Sequence, residues 1–129
     1  MPSPTDLLLV EPDPAEAELA VRLLRGRVAV ARDGEEALRA VDALEPRVVL
    51  LCPRLPRIDG FGVLERLRGE PRHRMLPVVM LTSDPEPAAV ARALALGANS
   101  VVRKPVRFEE LRAALTEVEA YWLDRHVTA

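Results

Sequence analysis

The chain has 129 residues, 49% hydrophobic and 29% charged, with a net charge of -2. That length suits one domain with a real core, and neither the charge balance nor any basic run points to nucleic acid. The longest apolar runs, about four to five residues, are far short of a membrane span, and Met-Pro-Ser-Pro-Thr-Asp at the start has neither the charged region nor the apolar core of a secretory signal.

Leu7 to Val10 is an unbroken apolar run ending at Glu11, the pattern of a strand buried on both faces of a parallel sheet. Asp13-Pro14-Ala15-Glu16 reads as a helix start, with Asp13 as N-cap, Pro14 in the first helical position and Glu16 closing a capping box. Ala17, Val21 and Leu24 mark the buried stripe of that helix, and Gly26 ends it. Val28 to Ala31 is a second strand. Asp33 with Glu36 repeats the capping pattern, and Ala37, Val41 and Leu44 form the next stripe.

Val48 to Leu51 is the third strand, and it stops at Cys52. A turn-rich segment with Pro53, Pro56 and Asp59-Gly60 follows, with Asp59 and Gly60 shaping the entry to a third helix. Val78 to Leu81, ending at Thr82, is the fourth strand, and Ser83-Asp84-Pro85-Glu86 opens a fourth helix that Gly97 closes. Val101-Val102 is a short fifth strand running into Arg103-Lys104-Pro105. Phe108, Leu111, Leu115, Val118 and Trp122 fall on one face of a long last helix. Five strands alternating with five helices predict a parallel sheet with right-handed crossovers, a three-layer α/β/α sandwich. The expected domain is 5–123, with frayed ends at 1–4 and 124–129 and no output domain for DNA binding or catalysis. The lone cysteine rules out an internal disulfide, which agrees with a cytoplasmic protein.

Several stretches, taken together and in order, resemble a response-regulator receiver domain of two-component signalling. They are Leu8-Leu9-Val10-Glu11, Leu55-Pro56-Arg57-Ile58-Asp59-Gly60-Phe61, Met80-Leu81-Thr82-Ser83, Gly97-Ala98-Asn99-Ser100 and Lys104-Pro105. The ending Glu119-Ala120-Tyr121-Trp122-Leu123 is similar to the single-domain regulators that partner phytochromes. The resemblance implies a flavodoxin-like (βα)5 fold with strand order 2-1-3-4-5 and a pocket at the ends of strands one, three and five.

In such domains an aspartate at the end of strand three takes a phosphoryl group from a histidine kinase. A magnesium ion, held by that aspartate and an acidic pair after strand one, neutralises the phosphoryl oxygens. Here the resemblance carries over only in part. Glu11 fills the first acidic position, Thr82 the hydroxyl position and Lys104 the lysine position, and Lys104-Pro105 is expected to keep the family's cis peptide. The usual metal-ligand position is Pro12, the phospho-acceptor position is Cys52 and the switch aromatic is replaced by Val101. Two carboxylates about 5 Å apart repel by roughly 3 kcal/mol at an effective dielectric near 20, which magnesium ordinarily relieves. With only Glu11 and Asp13 left as acidic remnants near Lys104, Glu11 is expected to pair with Lys104 directly. Magnesium binding is expected to be lost or weak, with no cofactor.

Cys52 has two readings. It is a small buried hydrophobe, the commoner state of such a cysteine, or a thiol sensor whose pKa Lys104 lowers. A phosphatase-type site would need an arginine at Ile58, and Arg57 is one position short. Asp13 is either a rescued metal ligand or a helix cap. Arg54 and Arg57 border the pocket mouth, as an anion site or as solvated charge. His73 and His126 lie apart from Cys52 and read as surface histidines, so no metal site is expected. Trp122 either continues the helix stripe or, together with Tyr121, which lies off that stripe, anchors an interface.

The leading expectation is a signalling module that is not an enzyme and acts by protein–protein contact. It would form a homodimer through helix four, strand five and helix five, or engage a sensor histidine kinase or phytochrome-type kinase. The alternatives are a working phosphorelay regulator that uses a substitute residue, and a redox sensor at Cys52.

Overall fold

The computed structural model describes residues 4–125. Five strands, β1 (Leu7–Val10), β2 (Val28–Ala31), β3 (Val48–Leu51), β4 (Val78–Thr82) and β5 (Ser100–Arg103), alternate with five helices. These are α1 (Pro14–Leu23), α2 (Gly34–Leu44), α3 (Gly60–Gly69), α4 (Pro87–Ala95) and α5 (Phe108–Glu119). The strands form one parallel sheet in the order β2-β1-β3-β4-β5, with Val10 level with Leu51 on one side and Ala31 on the other. This is the expected flavodoxin-like sandwich.

The central strands lack hydrophobic alternation because both of their faces are covered. Leu8 and Val10 of β1 face a core built with Ala37 and Val41 of α2, Val63, Leu64 and Leu67 of α3 and Ala93 of α4. Leu7 and Leu9 face the opposite core, with Ala17 and Ala20 of α1 and Leu111, Leu115 and Val118 of α5. Successive strand side chains point to opposite faces, so four apolar residues in a row serve two cores at once. Among the described residues no helix is long and apolar enough to cross a membrane.

The helix starts follow local chemistry. Asp13 accepts from the Ala15 and Glu16 amides, Asp33 from Glu36 and Asp59 from Gly62. The expected capping box on α1 does not close, because the Glu16 carboxylate reaches across to Lys104 instead. On α2 the returning bond goes one residue early, from the Arg32 amide to Glu36. Helix α4 starts at Pro87, later than the sequence suggested, and ends with Gly97 at φ 106°.

Some expected core positions differ. Val21, Leu44 and Phe108 are exposed and join neither core cluster; Leu44 is the last residue of α2 and Phe108 the first of α5. Leu24 is buried but caps α1, so that helix ends before Gly26. The Lys104–Pro105 peptide is trans, as are all the described peptide bonds, so the expected cis peptide is absent. Trans is the intrinsically favoured isomer even before proline, by about 0.5–1 kcal/mol. After α5 the backbone continues as a π-helical coil, Ala120–Arg125, past the expected boundary at 123.

A candidate pocket at the carboxyl ends of the strands

The sheet reverses its winding between β1 and β3, and an open α/β sheet places its crevice at that reversal. A cleft of about 960 Å³ lies there, lined by residues that include Glu11, Pro12, Asp13, Cys52, Thr82 and Lys104. Cys52 is positioned by its own amide, which donates to the Val10 carbonyl across 3.2 Å. The chain must turn sharply behind it: a Cβ on Gly60 would lie 2.4 Å from the Cys52 carbonyl oxygen.

Four side chains meet in a line. The Cys52 thiol donates to Glu11 Oε1 at 3.3 Å. Lys104 Nζ donates to the same oxygen at 3.0 Å and pairs with Glu16 Oε2, also at 3.0 Å. Glu11 Oε2 accepts the Asp13 amide at 3.1 Å, so both of its oxygens are engaged. The expected Glu11–Lys104 pair is therefore present. Asp13 takes no part in it; its carboxylate caps α1.

The electrostatics of Cys52 run opposite to the sequence argument. Burial and the neighbouring Glu11 carboxylate push its thiol up to about 12, and Lys104 offsets only part of this. Only about one thiol in 10⁵ is then ionised at neutral pH. Burial opposes the charge of Lys104 but is outweighed by its hydrogen bonds to Glu16 and Glu11, so its pKa is raised.

The remaining residues divide between the cleft and other places. Thr82 Oγ1 accepts from the Asp84 amide at 3.2 Å. Pro12 offers only its carbonyl, which receives Arg32 Nη2 at 3.4 Å. Val101 is half-buried opposite Met80 and packs with Phe61 against the core. Arg54 lines the cleft, but Arg57 turns away to Asp33 (3.5 Å) and Glu35 (3.8 Å), with its backbone at φ 70°.

Tyr121 and Trp122 lie outside the cleft, on the terminal coil, their rings edge to face with centroids 4.7 Å apart. His73 is not a plain surface residue. Its ring is mostly covered and its Nε2 lies 2.8 Å from Asp42, whose carboxyl that hydrogen bond holds below its usual range. His126 falls outside the described residues.

Sequence reasoning missed three features. Glu16 belongs to the cleft, although its spacing from Asp13 matched a capping box. Arg92 of α4 places its guanidinium 4.3 Å above the Phe61 ring at the cleft wall. Glu119, 2% exposed, accepts the Arg25 and Gly26 amides at 2.8–3.0 Å. Its only sequence signal was a glutamate beside the apolar face of the last helix.

A doubly wound parallel sheet with order 2-1-3-4-5 and a polar crevice at its switch point defines a flavodoxin-like α/β domain. The model of the response regulator receiver domain matches residues 7–116, and the chain belongs to that family. It is 37% identical to the probable methanogenesis regulatory protein FilR2 of Methanothrix harundinacea, over 93% of this chain and 84% of that one. It is 39% identical to the DNA-binding response regulator MtrA of Mycolicibacterium smegmatis over 83% of this chain, and spans about half of that protein's length (47%). Among solved structures, the phosphorylated cyanobacterial phytochrome response regulator RcpA superposes with a TM-score of 0.89 at 26% identity. That match covers 97% of this chain and 98% of RcpA.

Proposed function

We propose that this receiver domain signals by protein–protein contact without phosphoryl transfer at position 52. The observation that carries this reading is the occupied lysine: Lys104 Nζ is held by Glu11 and Glu16, while the side chain at position 52 is a protonated thiol donating into Glu11. By resemblance, Cys52 stands where the family has its nucleophilic carboxylate, and Val101 where it has the aromatic that reports phosphorylation. A thiol with a pKa of about 12 is a poor nucleophile for a phosphoryl group. The same value weighs against a redox-sensing role.

The residues present do not fit a magnesium ion. Pro12 has no side-chain oxygen, Asp13 is committed to its helix cap, and Glu11 already serves Lys104, Cys52 and the Asp13 amide. Among the described residues no three His, Cys, Asp or Glu side chains are grouped to hold a metal. A hard cation prefers several oxygen ligands at one point, and the carboxylates that line this cleft are not gathered to supply them.

The partner surface in this reading is the face of α4, β5 and α5, used by a second copy or by a sensor histidine kinase, of phytochrome type if the likeness to RcpA extends to partners. Leu94 on α4, Val106 before α5 and Phe108 at its start are exposed, Val106 by 97%. Val106 and Phe108, exposed two residues apart at the start of α5, suit a protein interface. The setting is cytoplasmic, with no nucleic-acid contact and no enzymatic turnover by the domain.

The test is incubation with a small acyl phosphate and millimolar magnesium, read by intact mass. The expected result is an unmodified chain. A stable phosphoryl adduct would overturn the proposal and point to a regulator that uses a substitute residue.

A further inference from the structure

Helix α1 is tied to the β5–α5 arm at two points. At the cleft end, Glu16 of α1 holds Lys104, which sits between β5 and α5. At the opposite end, Glu119 closes α5 onto the Arg25 and Gly26 amides that follow α1, with Arg25 Nε 3.7 Å from the same carboxylate. Between the two ties Ala17 and Ala20 pack in one apolar cluster with Leu111, Leu115 and Val118.

The two clasps differ in kind. Glu119 is buried and bonds to backbone amides, so it belongs to the permanent frame. The Glu16 side chain is half-exposed (51%) and can leave, whereas the Lys104 side chain is only 14% exposed and stays anchored on buried Glu11. An ammonium has three donors, and here one goes to a fixed partner and one to a removable partner.

We propose that Glu16 acts as a built-in anion for Lys104, a clasp whose opening and closing sets the mobility of the β5–α5 segment. It rests on the reading that no phosphoryl group is formed in the cleft, and it names what regulates the cleft instead. Closed, the clasp fixes Arg103 to Leu111 against α1. Open, the Lys104 side chain is held by Glu11 alone while its backbone stays paired to Thr82, and the exposed Val106 and Phe108 gain freedom while the Glu119 end stays closed.

Amide hydrogen exchange tests this on the full chain. Glu16→Gln and Glu16→Ala are expected to speed exchange several-fold in residues 101–111 and to leave β1 and β3 unchanged. Glu18→Gln, on the same helix but paired among the described residues with Arg22 alone, controls for a general weakening of α1. Acetate at tens of millimolar is expected to restore protection in Glu16→Ala and to do nothing to the wild type. Unchanged exchange in residues 101–111 of both Glu16 variants would overturn the clasp, as would equal loosening in Glu18→Gln. Phosphorylation of the wild type would refute the preceding section, and it is read separately by mass.

Discussion

The Cys52 sulfur and the Glu11 carboxylate share one proton across 3.3 Å, and the thiol keeps it. The thiol pKa of about 12 lies above its ordinary value of 9.0, so between these two values the folded chain holds a proton that the unfolded chain releases. Stability is then independent of this group below pH 9 and falls as pH rises from about 9 to about 12. Lys104 adds to the alkaline loss, because its raised pKa contributes stability that is present below its ordinary value and lost above it. Urea unfolding across pH 8–11 is expected to show this fall, and a shallower one in Cys52→Ala.

The same proton predicts thiol behaviour. Native protein is expected to react with a disulfide reagent at pH 7.5 far more slowly than protein in denaturant, because Cys52 is both covered and un-ionised. Equal rates in the two states would remove the buried-thiol account.

Restoring the carboxylates should restore the ion. Cys52→Asp alone places a second carboxylate beside Glu11; about 4 kcal/mol of repulsion at 4 Å and an effective dielectric near 20 is partly offset by Lys104, leaving a net loss of roughly 1–3 kcal/mol. Adding Pro12→Asp is expected to make stability rise with magnesium, as ligand linkage requires. The wild type is expected to show no rise in melting temperature at millimolar magnesium. Thermal melts with and without the ion check both statements.

Glycine positions provide a packing contrast. A Cβ on Gly34 would lie 2.0 Å from the Ile58 carbonyl oxygen, and one on Gly69 would meet nothing within 4 Å. Gly34→Ala is expected to cost at least about 1–3 kcal/mol, the usual penalty of overpacking. Gly69→Ala is expected to be neutral or slightly stabilising. Denaturant midpoints of the two variants decide this.

Glu119→Ala leaves the Arg25 and Gly26 amides without their carboxylate. The expected loss is roughly 1.5–3 kcal/mol, the usual worth of hydrogen bonds to a charged acceptor. Trp122, the chain's only tryptophan, packs on the core side of the coil that follows Glu119. Its emission is expected to shift red in this variant, and an unchanged spectrum would separate Glu119 from the coil.

What the amino-acid order determined by itself is local. Four-residue apolar runs marked four of the five strands, and Asp13, Asp33 and Asp59 marked helix starts, because period and capping depend on neighbours a few positions apart. Strand order and the membership of Cys52, Glu11, Thr82 and Lys104 in one pocket were legible through family resemblance. What only the tertiary structure decided is which charges meet. Glu11 and Lys104 are 93 residues apart in the chain, and Glu16 looked like a cap until the fold brought Lys104 within reach. The state of Cys52 was decided the same way: the nearby lysine suggested a lowered pKa, but burial and an engaged carboxylate reversed the sign. Burial and the relative nearness of opposite charges are properties of the packed chain, and no local pattern encodes them.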